Sequence, residues 1–405
     1  MPEIVEREGW RVRVRGEVPA EEVEGAYRLL LSEYKKRVRV PGFRPGRVPD
    51  RVLEARLGRE ALLREVREEL IERHLPEVLK ALELDPVAVR KVEGELELGK
   101  PFVFEAEIEN YPEVELPDWR GFELGVEEPE VGEEAVEAAL QDLRRRYAEV
   151  EAKEGPAEAN DLVIVVTEEG SEIPVELERA YDEVRAALLG KRAGDEAELP
   201  LFSDAGEPTG RTAKVKVKEV KAVRLPELDD EFAKTLGYET LDEARAKIKE
   251  ELLRRARAQA EEARKEALLE KLAEGLKAEL PPALVEAEER AVWGEIAEDL
   301  AKKGVPLEDY LKGLEPEKFE ELKNDVKRSA ERRVRRGLAL EKLTEELGVE
   351  LGEDEWKAHL EELARAYGMK PADFERALGE DGLRRLYRRR LHAKALSQAV
   401  AALAA

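Results

Sequence analysis

Five arginines, three prolines and two glycines lie within the fifteen residues RVRVPGFRPGRVPDR, at positions 37–51. Residues 34–51 hold seven lysines and arginines against one aspartate, which gives this segment a net charge of +6. Guanidinium groups present several donors in one plane and bind phosphates and carboxylates. Proline disfavours both a helix and a central strand, while glycine permits a tight turn. The segment is predicted to be a docking loop for an anionic partner, and an ordinary solvated turn is the alternative.

The rest of the sequence offers little catalytic chemistry. There are no cysteines, and the three histidines, His74, His359 and His392, lie far apart in the chain. The sequence contains neither a glycine-rich phosphate-binding motif nor a Gly-x-Ser-x-Gly nucleophile motif. We therefore expect no cofactor and no metal site.

Charge is abundant and unevenly distributed. The 405 residues have a net charge of −25, and 41% of them are charged. The net charge is −3 over residues 1–111, −14 over 112–225 and −8 over 226–405. Such a chain repels polyanions in general, so any nucleic-acid contact should be local and confined to the basic segment. No run of eighteen apolar residues occurs, and we expect a cytoplasmic protein without membrane contact.

The first 111 residues have the pattern of an α+β domain. Trp10, Val12 and Val14 alternate with arginines, which is typical of a half-buried antiparallel strand. A helix is predicted from about Pro19, a second helix from Pro49, and then a longer one whose apolar side repeats at helical spacing. Strands are predicted near residues 86–98 and 101–109.

The remaining sequence changes character twice. Residues 112–149 contain a proline-rich acidic connector followed by a helix, and residues 150–224 contain several strand patterns with one short helix closed by Gly190. From residue 225 to 405 the pattern is almost wholly helical. Residues 240–279 are predicted to form one long helix, with Thr240 as its N-cap and Glu243 completing a capping box. The expected fold class is α+β and multidomain.

Three stretches resemble the trigger factor family of ribosome-associated bacterial chaperones. They are GFRPGRVP in the basic loop, LPELDDEFAK at 225–234, and ALLGKRAGDEAELPL at 187–201. The resemblance implies an N-terminal ribosome-binding domain at 1–111, a connector and linking helix at 112–149, a shortened FKBP-like domain at 150–224, and a helical substrate-binding chaperone domain at 225–405.

The resemblance assigns ribosome docking to the basic loop. The implied ribosome-binding residues are Gly42, Phe43, Arg44, Pro45, Gly46 and Arg47. In the family a basic residue follows the Phe-Arg pair, whereas Pro45 stands there in this sequence, and Arg47 is expected to compensate. The implied partners are the large ribosomal subunit, through exit-tunnel proteins and ribosomal RNA, and unfolded nascent polypeptides. Weak self-association is a further expectation.

The FKBP-like segment departs from the family pattern for prolyl isomerisation. Such sites surround the X–Pro bond with aromatic side chains, but residues 160–224 contain only Tyr181 and Phe202 as aromatics. We therefore expect isomerase activity to be weak or absent. If a site exists, its residues are predicted to be Tyr181, Val184, Leu188 and Phe202.

Client binding is expected on apolar stripes of the C-terminal helices, at Val285, Val292, Trp293 and Ile296. The basic runs RRVRRG at 332–337 and RRLYRRR at 384–390 are interpreted as solvated helix faces, and nucleic-acid contact by the second run is the alternative. Two other functions stay open. One is a free-standing peptidyl-prolyl isomerase with helical substrate-recruiting arms, and the other is an acidic helical scaffold with an RNA-binding loop.

Overall fold

The structure is a computed structural model that describes residues 2–41, 43–44, 46–203, 206 and 208–404. It divides into two compact units, one made of Met1–Gly125 with Ala263–Ala405 and the other of Val126–Glu262. Each unit contains one antiparallel sheet, and helices make up most of the rest. The α+β multidomain class is confirmed. The functional division into four segments stays a prediction.

The N-terminal part of the first unit is a four-stranded sheet with three helices. Its elements are β1 (Glu3–Glu8), β2 (Arg11–Val18), α1 (Ala20–Arg37), α2 (Asp50–Leu57), α3 (Arg59–Ala81), β3 (Pro86–Glu93) and β4 (Phe102–Asn110). The strand order is β1-β2-β4-β3, and all neighbours are antiparallel. The alternation in β2 is confirmed. Strand β1 was not predicted, because all six of its residues are exposed and leave no period-two apolar signal.

The core of this domain forms where the helices cover one face of the sheet. Val12 pairs with Ile108 and Val14 with Ala106, and all four side chains are fully buried. On the opposite face, arginines of β2 lie across from glutamates of β4, as in the Arg15–Glu105 ion pair at 2.6 Å. This alternation of apolar and charged pairs fixes the strand register, because a one-residue slip would bury the charges.

The second unit contains the β-rich block. Its elements are α4 (Glu133–Arg146), β5 (Glu149–Ala152), β6 (Leu162–Thr167), β7 (Glu172–Glu176), α5 (Asp182–Leu188), β8 (Glu196–Phe202), β9 (Pro208–Arg224) and α6 (Asp230–Thr235). The sheet order is β5-β9-β6-β7, and β8 also pairs with β9. Val215, Val217 and Val220 of β9 are buried, as the sequence pattern predicted. The short strands β5 and β7 were missed because their residues are mostly exposed.

The LPELDDEFAK stretch caps two successive helices. Asp229 accepts a hydrogen bond from the amide of Phe232 at 2.9 Å and so caps α6. Asp230 accepts from the amide of Leu241 at 2.8 Å, where α7 (Leu241–Gly275) begins. Thr240 accepts from the amide of Glu243 at 3.2 Å, which confirms the predicted N-cap. The two aspartates therefore have distinct structural roles, since each accepts a backbone amide at the start of a different helix.

The C-terminal part of the chain is helical, as predicted. After α7 come α8 (Pro282–Lys302), α9 (Leu307–Lys312), α10 (Pro316–Glu346), α11 (Glu353–Ala366) and α12 (Pro371–Ala404). The prediction that the long helix extends to residue 279 was wrong, since α7 ends at Gly275. A Cβ at Gly275 would lie 2.8 Å from the ring of Pro117, and Lys277 already pairs with Glu115 in an isolated β-bridge. Helix α12 contains a kink at Gly379, where φ is +65°.

Helices α7, α10 and α12 share one core in the first unit. Leu268, Leu272, Leu338 and Leu343 are among its most buried members, and Trp119 of the connector packs with them. At its edge, carboxylates of α7 pair with arginines of α10. Arg332 pairs with Glu270 at 2.8 Å, and Arg336 pairs with both Glu266 and Glu270. These ion pairs hold the pKa of both carboxyl groups below its usual range.

A buried carboxylate links the N-terminal sheet to α8. The side chain of Glu109 is almost fully buried, and it accepts hydrogen bonds from Arg90 and from the amide of Ala283 at 2.7 Å. Ala283 lies in the first turn of α8, where amide groups have no partner within the helix. Arg90 also binds Glu286 of α8 through two bonds of 2.9 and 3.1 Å, which lower the pKa of Glu286.

We predict that Glu109→Ala strongly destabilises the first unit. The substitution leaves the amide of Ala283 without an acceptor and removes one carboxylate from Arg90, a loss on the order of 3 kcal/mol. Thermal unfolding followed by circular dichroism should show a clearly lower midpoint. The control is Glu113→Ala, which removes an exposed carboxylate four residues further along the chain and should change the midpoint little. Equal midpoints for both variants would contradict this role of Glu109.

Candidate functional site

The base of the basic loop is fixed to the N-terminal domain. Val40 and Val48 flank the tip and are both buried in the core of the domain. Lys35, in the last turn of α1, pairs with Asp50, in the first turn of α2, at 2.5 Å. These contacts hold the two ends of the loop close together, so the residues between them are presented outward on a rigid support.

The described residues of the loop tip form backbone hydrogen bonds. The amide of Gly46 donates to the carbonyl of Lys35 at 2.8 Å, and the amide of Arg47 donates to the carbonyl of Arg44 at 3.0 Å. Gly46 has φ of +80°, in the left-handed region that favours glycine. The predicted site residues Gly42 and Pro45 lie outside the described residues.

The described side chains of the tip point into solvent. Phe43 is 42% exposed, and Arg44 and Arg47 are exposed beside it. Within the described part of the chain, no carboxylate lies within 4.0 Å of Arg44, Arg47 or the neighbouring Arg39. An exposed phenyl ring among guanidinium groups that lack partners is suited to a surface carrying both anionic and apolar groups.

The predicted isomerase residues do not form one open pocket. Tyr181 and Phe202 stack face to face, with ring centroids 3.9 Å apart and an interplanar angle of 18°. Val184 is half-buried against the core of the sheet, whereas Leu188 has no exposed surface. Leu188 is therefore a core residue, which corrects its assignment to a substrate surface. A groove of about 940 Å³ lies on the same unit, but it is lined by β6, β8, β9 and the end of α5, and none of the four residues belongs to it.

The predicted client residues are divided between core and surface. Val285 and Val292 are buried on α8, so neither presents a side chain to a client, and this part of the prediction is corrected. They are seven residues apart and so lie on one side of α8, as expected for a helix that packs on a neighbour. The same apolar pattern would also arise on a surface that binds clients, so the pattern alone does not distinguish the two. Trp293 and Ile296 are half-buried and stay candidates.

An exposed aromatic at the end of α11 was not predicted. Tyr367 is 71% exposed and stacks on Phe374 of α12 with ring centroids 5.6 Å apart. Met369, two residues further on, is also exposed. The sequence held a signal, because YGMKP places an aromatic and a methionine in a glycine- and proline-containing turn where no core can cover them.

The described residues lack both a metal-binding cluster and a membrane-spanning helix. They contain no group of three or more histidine and carboxylate side chains arranged to hold a metal ion. Within the same residues, no helix is both long and apolar enough to cross a lipid bilayer.

The fold and the loop define an α+β multidomain protein with a projecting basic tip, and comparison with known proteins identifies the class. A family model described as bacterial trigger factor protein (TF) matches residues 2–143, and one for its C-terminus matches residues 240–402. Trigger factor of Thermus thermophilus is 51% identical over 404 residues, which cover 100% of both chains. Trigger factor of Deinococcus radiodurans is 37% identical over 100% of this chain and 89% of its own length.

A solved structure agrees with these matches. It is described as "Promiscuous Substrate Recognition in Folding and Assembly Activities of the Trigger Factor Chaperone", and it covers 100% of both chains with a TM-score of 0.64 and 28% identity. The chain belongs to the trigger factor family. Its function is that of a molecular chaperone that docks on the ribosome and receives nascent chains.

We predict that Gly46→Ala weakens ribosome binding without unfolding the protein. Apart from the two neighbours of Gly46 in the chain, no described residue has an atom within 4 Å of a Cβ at this position, so the main cost is the left-handed backbone, about 1 kcal/mol. That cost shifts the free loop away from its docking conformation, and the affinity for ribosomes should fall about fivefold in a pelleting titration. Gly25→Ala in α1, also with open space around its Cβ, is the control and should bind normally. Unchanged affinity of the Gly46 variant would show that the observed loop conformation is not needed.

Proposed function

We propose that this chain docks on the large ribosomal subunit beside the exit tunnel through residues 42–47, and that it shields emerging chains without ATP. The observation that supports this proposal is the exposed Phe43, followed by the exposed Arg44 and Arg47, on a loop whose ends are held by buried valines. The two arginines would contact phosphates of ribosomal RNA and carboxylates of exit-tunnel proteins. Phe43 would enter an apolar depression on the ribosomal surface between these anionic groups.

The loop is suited to fast and reversible docking. Its guanidinium groups need not first break ion pairs with the described residues of their own chain. Gly46 and Arg47 also lose little conformational entropy on binding, since their backbone amides are already hydrogen-bonded. Arg47 takes over the function of the basic residue that Pro45 replaces.

We propose that client chains contact exposed apolar side chains of the C-terminal helices. Among the described residues Tyr367, in the turn after α11, is the most exposed of these, Met369 in the same turn is also exposed, and Trp293 and Ile296 of α8 are partly accessible. Contacts of this kind are non-directional and individually weak, which suits a chaperone that must bind many sequences and release them again. The charged residues around them keep the surface soluble.

For the FKBP-like domain we propose weak or absent prolyl isomerase activity. An isomerase lowers a barrier of about 18–20 kcal/mol by enclosing the X–Pro bond in an apolar slot. Tyr181 and Phe202 stack on each other at 3.9 Å, so no prolyl ring fits between them. Tyr181 is also half exposed to water, which does not favour desolvation of a substrate.

Replacing Phe43 and Arg44 with alanine is predicted to abolish co-sedimentation with ribosomes. The change removes the apolar anchor and one guanidinium group from an exposed loop, so the unfolding midpoint should stay the same. Arg28→Ala, which removes an exposed arginine that pairs with Glu24 on α1, is the matched control and should pellet normally. If the double variant pellets as the parent does, ribosome docking does not use this loop.

A protease-coupled assay with a proline tetrapeptide tests the isomerase proposal. In the presence of the protein, the slow cis-to-trans phase of the peptide should keep a time constant close to that of the uncatalysed reaction, roughly tens to hundreds of seconds. Suppression of aggregation of a proline-free client should nevertheless be retained, because holding requires no isomerisation. Robust turnover that is lost in Tyr181→Ala would overturn the proposal and favour the free-standing isomerase.

A further inference from the structure

A cleft of about 1090 Å³ lies within the first unit of the structure. Its walls are the turn between β1 and β2, residues 111–115 after β4, residues 277–279 between α7 and α8, and one side of α10. The volume is close to the upper end of the range of about 300–1,000 Å³ that is typical of ligand pockets. The lining contains no residue of the docking loop and none of the predicted isomerase or client residues.

Charge pairing within the cleft leaves two carboxylates without a cation. Eight charged side chains line the cleft, of which three are cationic and five are carboxylates. Each cation pairs with a carboxylate of the lining: Arg7 with Glu113 at 3.2 Å, Lys277 with Glu115 at 3.4 Å and Lys342 with Glu345 at 2.9 Å. Glu279 and Glu341 remain, and within the described part of the chain no lysine or arginine lies within 4.0 Å of either carboxylate.

The structure places one of these carboxylates against the N-terminal sheet and the other on α10. Oε2 of Glu279 lies 2.6 Å from the position that a Cβ of Gly9 would occupy, so this carboxylate lies against the turn between β1 and β2. Oε2 of Glu341 accepts a hydrogen bond from the hydroxyl of Tyr111 at 2.7 Å. Burial and this hydrogen bond raise the pKa of Tyr111, so its hydroxyl stays protonated at neutral pH. Oε1 of Glu341 is then the oxygen that a cationic ligand would use.

Much of the remaining lining is aromatic or apolar. Trp10 and Tyr111 are half-buried, and so are Val114 and Ala278. The guanidinium group of Arg11 lies 5.4 Å from the centroid of the Trp10 ring, so this ring already takes part in one cation–π contact. The carboxylates and the rings both favour cations, and the apolar side chains favour a ligand that carries hydrocarbon as well as charge.

We propose that this cleft binds a linear polyamine, in which short methylene segments join protonated amines. One ammonium group would pair with Glu279, and another would pair with Glu341. The methylene segments would cover Val114, Ala278 and the ring of Trp10. The ligand would thereby connect the turn between β1 and β2 to α10, two parts of the first unit that are far apart in sequence. This site goes beyond ribosome docking and client shielding, and it requires neither.

The charge and the lining of the cleft favour a small organic cation over other occupants. The net charge of −25 attracts cations to the chain and repels anions at long range. A hydrated divalent metal ion is attracted as well, but the described residues contain no group of three or more histidine and carboxylate side chains arranged to hold one. Such an ion also gains nothing from the apolar part of the lining, whereas a polyamine makes use of both kinds of contact.

Calorimetric titration of spermidine into the full-length chain, without ribosomes, tests the proposal. The variant E279Q/E341Q should bind at least about tenfold more weakly, because it removes both carboxylates and keeps the size of both side chains. Glu279→Gln alone should bind about three- to fivefold more weakly. Glu274→Gln is its matched control and should bind within about twofold of the parent. Glu274 is exposed on α7, has no lysine or arginine partner among the described residues and does not line the cleft.

Tryptophan fluorescence provides a second measurement. Trp10 lines the cleft, whereas the other three tryptophans of the chain, Trp119, Trp293 and Trp356, do not. Spermidine should therefore change the emission of the parent chain, and Trp10→Phe should lose that change. Magnesium chloride at the same concentration should leave the emission of the parent unchanged.

Three results would overturn the proposal. They are unchanged binding by E279Q/E341Q, equal weakening by Glu274→Gln and Glu279→Gln, and displacement of spermidine by magnesium chloride at equal concentration. Each would show that cations accumulate around an acidic chain without a defined site. If the double variant loses cooperative unfolding, the comparison of Glu279→Gln with Glu274→Gln decides. The docking-loop variant F43A/R44A should bind spermidine as the parent does, so failure of the cleft and failure of ribosome docking are distinguishable.

Discussion

The proposed function depends on a difference between the basic loop, whose arginines lack carboxylate partners among the described residues, and the rest of the chain, where many cations are paired. The chain has a net charge of −25, and many of its lysines and arginines are paired with its own carboxylates. At the docking loop this pairing stops, and within the described residues Arg39, Arg44 and Arg47 have no carboxylate partner. A local positive potential on an acidic body gives selectivity, because only a partner with anionic groups in a small area gains from contact with the tip.

The rest of the first unit keeps this tip in place. The register of the N-terminal sheet positions α1 and α3, the core between them buries Val40 and Val48, and the Lys35–Asp50 pair closes the base of the loop. Glu109 and Arg90 then connect the sheet to α8 through a helix N-terminus and a second carboxylate. The position of the loop is therefore set by packing and by buried polar contacts, while the affinity that we propose for it would come from side chains that are exposed to solvent.

Local patterns in the sequence predicted much of this molecule. The alternation in β2, the N-cap at Thr240 and the exposed Phe43 were all predicted from short-range rules, because each depends on residues close together in the chain. Strand β1 was missed because its side chains are all exposed. Val285 and Val292 were misassigned for a different reason: an apolar helical stripe has the same pattern whether a neighbouring helix or a client covers it.

The salt dependence of ribosome affinity tests the central claim most directly. If unpaired guanidinium groups of the loop provide the affinity, the logarithm of the binding constant should fall linearly with the logarithm of salt concentration, with a slope of about −2 or steeper. The variant R44Q/R47Q should flatten that slope by about 1 to 2. A slope near zero for the parent chain, or an equal slope for the variant, would contradict the account.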